Sequence, residues 1–364
     1  MEECDINLED ALAAAVEAAQ KAGAIMWDFY QYRRQVSAAE ALEKSKGFDS
    51  NDEAVSGGEG EKPSVSQLLD TKVKSCSTDL VTEYDRHCDE AIMSILQQYS
   101  TTVERQKHKS GSESFHFSFI TEEIHPDMRL TDAPTWIVDP IDGTMSFVHG
   151  SCDCCVSIGL TIKKETVLAV IYCPFIHTTN CELTGFLSSG LQKGELYTAI
   201  RGKGAFLNGH PIHVRSDITQ EEAIANFGYP MRPVLSAAEL EESGGNAEAA
   251  KQAKHYKMLD AAGYIRTRLL TSPVRGLRSY GACALILAFV AAGRIDLYME
   301  PCGKIWDVCA GNLLVTEAGG TVRNIFGDEF DMERTTTIIA AANEKLSTLG
   351  ADICNEVSYG KFWL

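Results

Sequence analysis

Trp136-Ile137-Val138-Asp139-Pro140-Ile141-Asp142-Gly143-Thr144 is the stretch on which the reading turns. Three apolar residues run as a strand straight into two aspartates three positions apart. Pro140 keeps the residue before it out of the α region and removes a donor from any strand ladder. Gly143 lets the chain turn tightly. Asp139, the Ile141 carbonyl and Asp142 can then converge on one small volume. Hard oxygen donors of this kind suit Mg²⁺, which prefers octahedral coordination and keeps several waters. After the glycine, Thr144-Met145-Ser146-Phe147-Val148 can open a short helix whose first N–H groups face an anion. Carboxylates beside amide donors make chemical sense with a metal between acid and phosphate. The plain alternative is an Asp-rich turn in which Asp142 caps the helix.

Two other stretches repeat the theme. Ile120-Thr121-Glu122-Glu123 is a second apolar strand that ends in carboxylates. Ile305-Trp306-Asp307 places an aspartate at a helix start, where the ordinary role is an N-cap. Asp85, near the start of a helix expected over Thr82 to Tyr99, is either part of a capping box with Thr82 or a supporting acid.

Around these stretches the pattern mixes helices, strands and hairpins. Residues 8–30 predict an amphipathic helix with Asn7 as N-cap and a stripe of Leu12, Val16, Ala19, Gly23, Met26 and Tyr30. Residues 37–67, rich in Ser, Gly, Glu and Asp, read as a disordered insertion. Phe117 to Ile120 and Thr135 to Val138 read as short strands. Val156 to Ile162 and Val167 to Cys173 read as a hairpin, and Asn208-Gly209 marks another turn. Ser236 to Lys257 reads as helix and loop. Gly281 to Ala292 is an apolar helix stopped by Gly293, and Asp307 to Ala318 is a helix capped by Asp307 and ended by Gly319-Gly320. Layered α+β structure follows, not an alternating βαβ fold, and the chain is read as a single domain over 1–364.

Composition limits the function. The chain has 364 residues, with 33 Lys+Arg against 51 Asp+Glu, a formal charge of −18. An overall basic footprint for nucleic acid is absent. The apolar run Ala282 to Ala292 is too short for a bilayer, which takes about 20 residues. Met1 to Asp5 is acidic and no apolar run follows, so no secretory signal is expected. Together with twelve cysteines, this predicts reduced thiols in a cytoplasmic protein.

Asp79-Leu80-Val81-Thr82-Glu83-Tyr84-Asp85, Phe119 to Glu123, Trp136 to Gly150, and Trp306 to Gly311 with Glu317 to Gly320 resemble the ordered motifs of the inositol monophosphatase family. Order and spacing agree from Lys74 to Asn343, and the DPIDGT segment followed by FVHG is highly specific. The resemblance implies an αβαβα sandwich, a homodimer, lithium sensitivity and two or three Mg²⁺ ions per site. It makes Glu122, Asp139 and the Ile141 carbonyl ligands of one Mg²⁺, and Asp139, Asp142 and Asp307 ligands of a second. Glu122 and Thr144 match the pair that orients the attacking water, with Asp85 behind Thr144. The Gly143 and Thr144 amides match phosphate contacts. Gly281, Ala282, Cys283 and Glu300 match polyol-binding positions, and Lys74 a basic residue near the metals. The implied reaction is direct hydrolysis of a small phosphomonoester by water between two ions.

Some positions depart from the family pattern. Thr121 stands where a glycine is usual, Met145-Ser146 replaces Thr-Asn, and Ala282-Cys283 replaces Thr-Ala. The stretch 228–272 matches the family poorly. The Phe147-Val148-His149-Gly150 run after DGT favours inositol monophosphate as the substrate, with a 3′-phosphonucleotide, histidinol phosphate or a sugar phosphate as the alternative. A further alternative is an inactive metal-binding interaction protein on the same fold. Cys152, Cys154 and Cys155 lack the pair spacing of a zinc site. Gly202-Lys203-Gly204 lacks the remaining positions of an ATP-binding loop and reads as a turn. His125, His149 and His177 have no partner at catalytic spacing.

Overall fold

The computed structural model describes residues 6–46, 72–73, 80–81, 83–110, 115–176, 194–228, 235 and 237–363. Lys74, Thr82, His177, residues 229–232 and residues 47–67 of the expected insertion lie outside them. In chain order the elements are α1 (Leu8–Lys46), β1 (Lys72–Val73), β2 (Leu80–Val81), α2 (Glu83–Ser110), β3 (Ser118–Thr121), β4 (Thr135–Asp142) and α3 (Thr144–His149). There follow β5 (Cys155–Ile162), β6 (Glu165–Cys173), β7 (Glu195–Ile200), β8 (Ala205–Leu207), β9 (His210–Ile212) and β10 (Ile224–Phe227). The C-terminal part holds α4 (Ala237–Glu242), α5 (Ala247–Thr271), β11 (Gly276–Arg278), α6 (Cys283–Ala291), β12 (Leu297–Glu300), α7 (Ile305–Glu317), β13 (Thr321–Arg323), β14 (Ile338–Ala341) and α8 (Glu344–Glu356).

These elements stack in five layers. A seven-stranded sheet runs in the order β3-β4-β5-β6-β7-β8-β9, and a five-stranded sheet in the order β11-β10-β12-β14-β13. Helices α1 and α2 cover the outer face of the larger sheet, and α6 and α7 lie between the sheets. Helices α5 and α8 close the far face of the smaller sheet. This is the αβαβα sandwich expected. The central position of α6 follows from its sequence: CALILAFVA is apolar all round and eight of its nine residues are buried. A helix of that kind has no face to give to water. Gly311 brings α7 against it, since a Cβ there would stand 2.3 Å from Leu287 Cδ1.

Several local readings are met and some are shifted. Asn7 caps α1, its Oδ1 accepting from the Glu9 amide at 3.0 Å. Of the predicted stripe on α1, Ala19, Gly23 and Met26 are buried and Leu12, Val16 and Tyr30 only partly so, while Ala11, Ala15, Ala18, Ala22 and Phe29 complete the buried face. Small alanines let the helix lie close to its neighbours, so the larger Leu12 and Val16 sit at the edge of the contact. The same helix continues to Lys46, so positions 37–46 of the expected insertion are helical. The hairpin β5–β6 forms antiparallel, with Val156 opposite Tyr172. Asn208 (φ 51°) and Gly209 (φ 80°) make the turn between β8 and β9. Gly202 and Gly204 form a turn, both amides donating to the Glu317 carboxylate at 2.8 Å.

Candidate active site

A single irregularity in β4 builds the acidic centre. Thr135 to Asp139 pair regularly with Thr161 to Ser157 of β5, but the next pair is Asp142 with Cys155. Three steps on β4 match two on β5, so one residue is extra, as in a β-bulge. In a regular strand, residues three apart point to opposite faces. The extra residue reverses that parity and puts both carboxylates on one side. The Asp139 Oδ1 accepts the Ile141 N–H at 3.0 Å, which holds the bulge.

The other acids arrive from neighbouring elements. Strand β3 runs parallel to β4, and the Glu122 amide continues the ladder by donating to the Val138 carbonyl at 3.1 Å. Asp307 is the third residue of α7, not its N-cap, which is Lys304. The expected cap is corrected in register: the Asp307 carboxylate reaches back and accepts the Lys304 amide at 2.6 Å. A carboxylate three residues inside a helix satisfies a free amide from that position as well as a cap does.

Asp139, Asp142 and Asp307 each bring a carboxylate oxygen within 4.8 Å of the others, the one such group among the described residues. The charges resist this. Asp139 is pushed well above the usual carboxylate range by burial, then by Glu122, Asp142, Asp307 and Asp85. Asp142 is pushed up to about 7, again by burial first; the Ala284 amide opposes the shift and Glu122 adds to it. Asp307 is only partly buried, yet desolvation is the first cause of its shift as well. It too is raised, then further by Asp142 and Glu122. A divalent cation reverses each of these shifts by supplying the missing positive charge. Clustered, desolvated carboxylates with no hydrocarbon between them fit a hard cation, and Glu122 lies within their field.

Gly143 must be glycine here. Its φ is +87°, and a Cβ would stand 2.9 Å from the Asp153 carbonyl and 3.0 Å from Ala282 Cβ. From it α3 begins, opening with Thr144. The Thr144 hydroxyl lies 3.2 Å from both Asp85 Oδ1 and the Ile141 carbonyl. Asp85 is buried and can only accept, so Thr144 donates to it and keeps lone pairs for another donor.

The positions expected to hold the alcohol half of a substrate gather at the same place. The Asp142 carboxylate accepts the Cys283 and Ala284 amides at 3.2 and 2.6 Å, which sets Gly281 and Ala282 at the rim. Ala282 carries a positive φ of 58°, unusual without glycine. Glu300, at the end of β12, accepts from the Tyr298 hydroxyl at 2.8 Å and the Cys302 amide at 3.2 Å, and burial raises its pKa. Its charge bears on both Cys283 and Asp307.

Sequence reasoning missed several supports. Asp89, one turn beyond Asp85 on α2, is fully buried and accepts the Ile124 amide at 3.1 Å, fixing the turn after Glu122-Glu123. Burial pushes its carboxyl up to about 6. Its i,i+4 spacing from Asp85 was the available signal. Thr121, the departure from glycine, joins this turn: its hydroxyl oxygen accepts the amides of Ile124 at 3.2 Å and His125 at 3.1 Å. Cys155 places its thiol 3.7 Å from Asp142 Oδ2. Cys154 and Cys155 are buried and Cys152 is exposed.

Comparison with known proteins shows the family to which the chain belongs. The family model described as the inositol monophosphatase family matches residues 7–358. Inositol monophosphatase 2 of Solanum lycopersicum is 39% identical over 279 residues, covering 76% of this chain and 86% of that protein. Inositol monophosphatase 1 of the same plant is 34% identical over 344 residues, 93% of each chain. Among solved structures, the extragenic suppressor protein suhB of Bartonella henselae superposes with a TM-score of 0.63 at 27% identity, covering 94% of this chain and 98% of that one.

Proposed function

The chain belongs to the inositol monophosphatase family and is a phosphatase, and from that premise we propose that it hydrolyses inositol monophosphate to myo-inositol and phosphate. The observation that carries the reading is the bulge at Asp139–Asp142, which brings two aspartates to one side and to Asp307. Glu122, Asp139, the Ile141 carbonyl, Asp142 and Asp307 would hold two or three Mg²⁺ ions. When bound, such ions lower the pKa of a water and stabilise the departing alkoxide.

The chain's own groups do the rest. Asp85 takes the Thr144 hydroxyl proton as a hydrogen bond, so the Thr144 oxygen is left to accept from the attacking water. Glu122, whose charge bears on Asp139, Asp142 and Asp307, is the second acceptor for that water. The Gly143 and Thr144 amides receive the phosphate at the left-handed turn from which α3 starts. Gly281, Ala282, Cys283 and Glu300 line the side where the alcohol leaves. The carboxylates are held in place before substrate arrives, so little reorganisation accompanies the reaction.

We further propose a single catalytic domain that works in the cytoplasm as a homodimer and is inhibited by Li⁺. No helix among the described residues is long and apolar enough to cross a membrane. The net charge of −18 supports a small substrate and not a nucleic acid. The test is phosphate release, with Mg²⁺, from inositol monophosphate, a 3′-phosphonucleotide, histidinol phosphate and a sugar phosphate, repeated with Li⁺. Inositol monophosphate should give the highest kcat/KM. A clear preference for one of the others replaces the substrate while leaving the hydrolase chemistry.

A further inference from the structure

Gly143, Asp153 and the Gly281–Ala282 pair meet at one junction on the rim of the site. The Asp153 backbone lies against Gly143, whose Cβ would stand 2.9 Å from the Asp153 carbonyl. The Asp153 side chain turns towards α3 and the start of α6. Its Oδ2 accepts the Ser146 hydroxyl at 3.0 Å, and its Oδ1 accepts the Ser151 hydroxyl. A Cβ on Gly281 would be 3.8 Å from Ser146 Oγ and 4.0 Å from Asp153 Oδ2, ordinary contact distances that set Gly281 beside this carboxylate. Gly281 itself is exposed and Asp153 partly so.

Asp153 stands outside the group of carboxylates that a cation would gather. Among the described residues its partners are two hydroxyls and no cationic side chain. Each carboxylate oxygen has two lone pairs, so one hydroxyl on each leaves acceptor capacity on both. The two serines fix the direction in which that capacity is offered.

Resting on the proposed function, we infer that Asp153, oriented by Ser146 and Ser151, is a specificity-determining residue that accepts a hydroxyl of the polyol and rejects a second anionic group beside the scissile phosphate. A polyol brings only hydroxyl donors to this rim. A bisphosphate brings a dianion towards a carboxylate, and like charges near a partly desolvated surface repel. The residue sets selectivity and takes no part in the bond-breaking step.

The experiment measures kcat/KM of the Mg²⁺-loaded enzyme and of Asp153→Asn on three probes: inositol monophosphate, inositol bisphosphate and p-nitrophenyl phosphate, whose alcohol half carries no hydroxyl donors. In Asp153→Asn the ratio of inositol monophosphate to p-nitrophenyl phosphate should fall about tenfold, mainly through KM, because a charged acceptor is lost. The ratio of bisphosphate to monophosphate should rise about tenfold, and the rise should shrink as salt increases. Asp153→Glu should restore most of the discrimination against the bisphosphate. If Asp153→Asn does not fold, Ser146→Ala keeps the charge but frees it, and the monophosphate to p-nitrophenyl phosphate ratio should still fall. Unchanged ratios in an enzyme that hydrolyses inositol monophosphate overturn the role of Asp153 alone. A wild-type enzyme that hydrolyses none of the three probes removes the phosphatase reading and this inference with it.

Discussion

The carboxylate of Asp142 closes the N-terminus of the buried helix that begins at Cys283: Oδ1 accepts the Cys283 amide at 3.2 Å and Oδ2 the Ala284 amide at 2.6 Å. One side chain therefore joins the larger sheet to the middle helical layer and also belongs to the acidic centre. The helix amides orient the carboxylate and favour its charge, while burial opposes it.

Substituting Asp142→Asn separates these two roles. Asparagine keeps an acceptor for one of the two helix amides and turns a donor to the other, at a cost of about 1–2 kcal/mol. It removes a negative charge from the centre. Phosphate release should fall by about 100-fold or more, while the thermal midpoint stays close to that of the parent. Near-normal turnover in Mg²⁺ would remove Asp142 from the reaction.

Stability of the metal-free protein should depend on pH in a defined sense. Burial lifts Asp142 from 3.8 up to about 7, and Asp139 and Asp307 move the same way. The native state then holds protons that the unfolded chain has lost, so stability is fully present below about 3.8. It declines as pH rises through the interval up to about 7. Differential scanning calorimetry in chelator should show the midpoint falling by several degrees between pH 5 and pH 8, values chosen to bracket the upper part of that window. Saturating Mg²⁺ should remove most of the fall, and Asp142→Asn should reduce it.

Thr144→Val tests the hydroxyl held between Asp85 and the Ile141 carbonyl. Valine has nearly the same shape and no hydrogen-bonding atom. A group that only orients the water should lower kcat by about 100-fold with little change in KM. A change confined to KM would move Thr144 from water positioning to phosphate binding.

Gly228→Ala tests the wall behind the leaving alcohol. A Cβ there would stand 2.3 Å from Glu300 Oε2, closer than atoms can pack, so Glu300 must shift. Crowding of this kind costs about 1–3 kcal/mol. Steady-state kinetics should show KM for inositol monophosphate raised several-fold with p-nitrophenyl phosphate less affected. Equal effects on both would show that Glu300 does not meet the polyol.

The gathering of Asp139, Asp142 and Asp307 was legible because its local signals are strong. A strand followed by Asp-Pro-x-Asp-Gly can do few things other than bulge and turn, and an all-apolar helix such as Cys283–Ala291 has to be central. Other features were hidden because they depend on packing across the fold. The buried face of α1 also uses alanines at 11, 15, 18 and 22, which a search for large apolar residues passes over. Asp307 looked like a cap in sequence, and only the path of the chain through Lys304 shows it reaching back from the third position. Asp153 and Ser146 belong to a junction with Gly281, a partner far along the chain that no local pattern announces.

The central claim is that Glu122, Asp139, Asp142 and Asp307 act through divalent ions. Its most direct test is phosphate release from inositol monophosphate by protein stripped with chelator, then titrated with Mg²⁺. The account predicts no release above background after stripping and full recovery as Mg²⁺ is returned. Undiminished release from the stripped protein would contradict it.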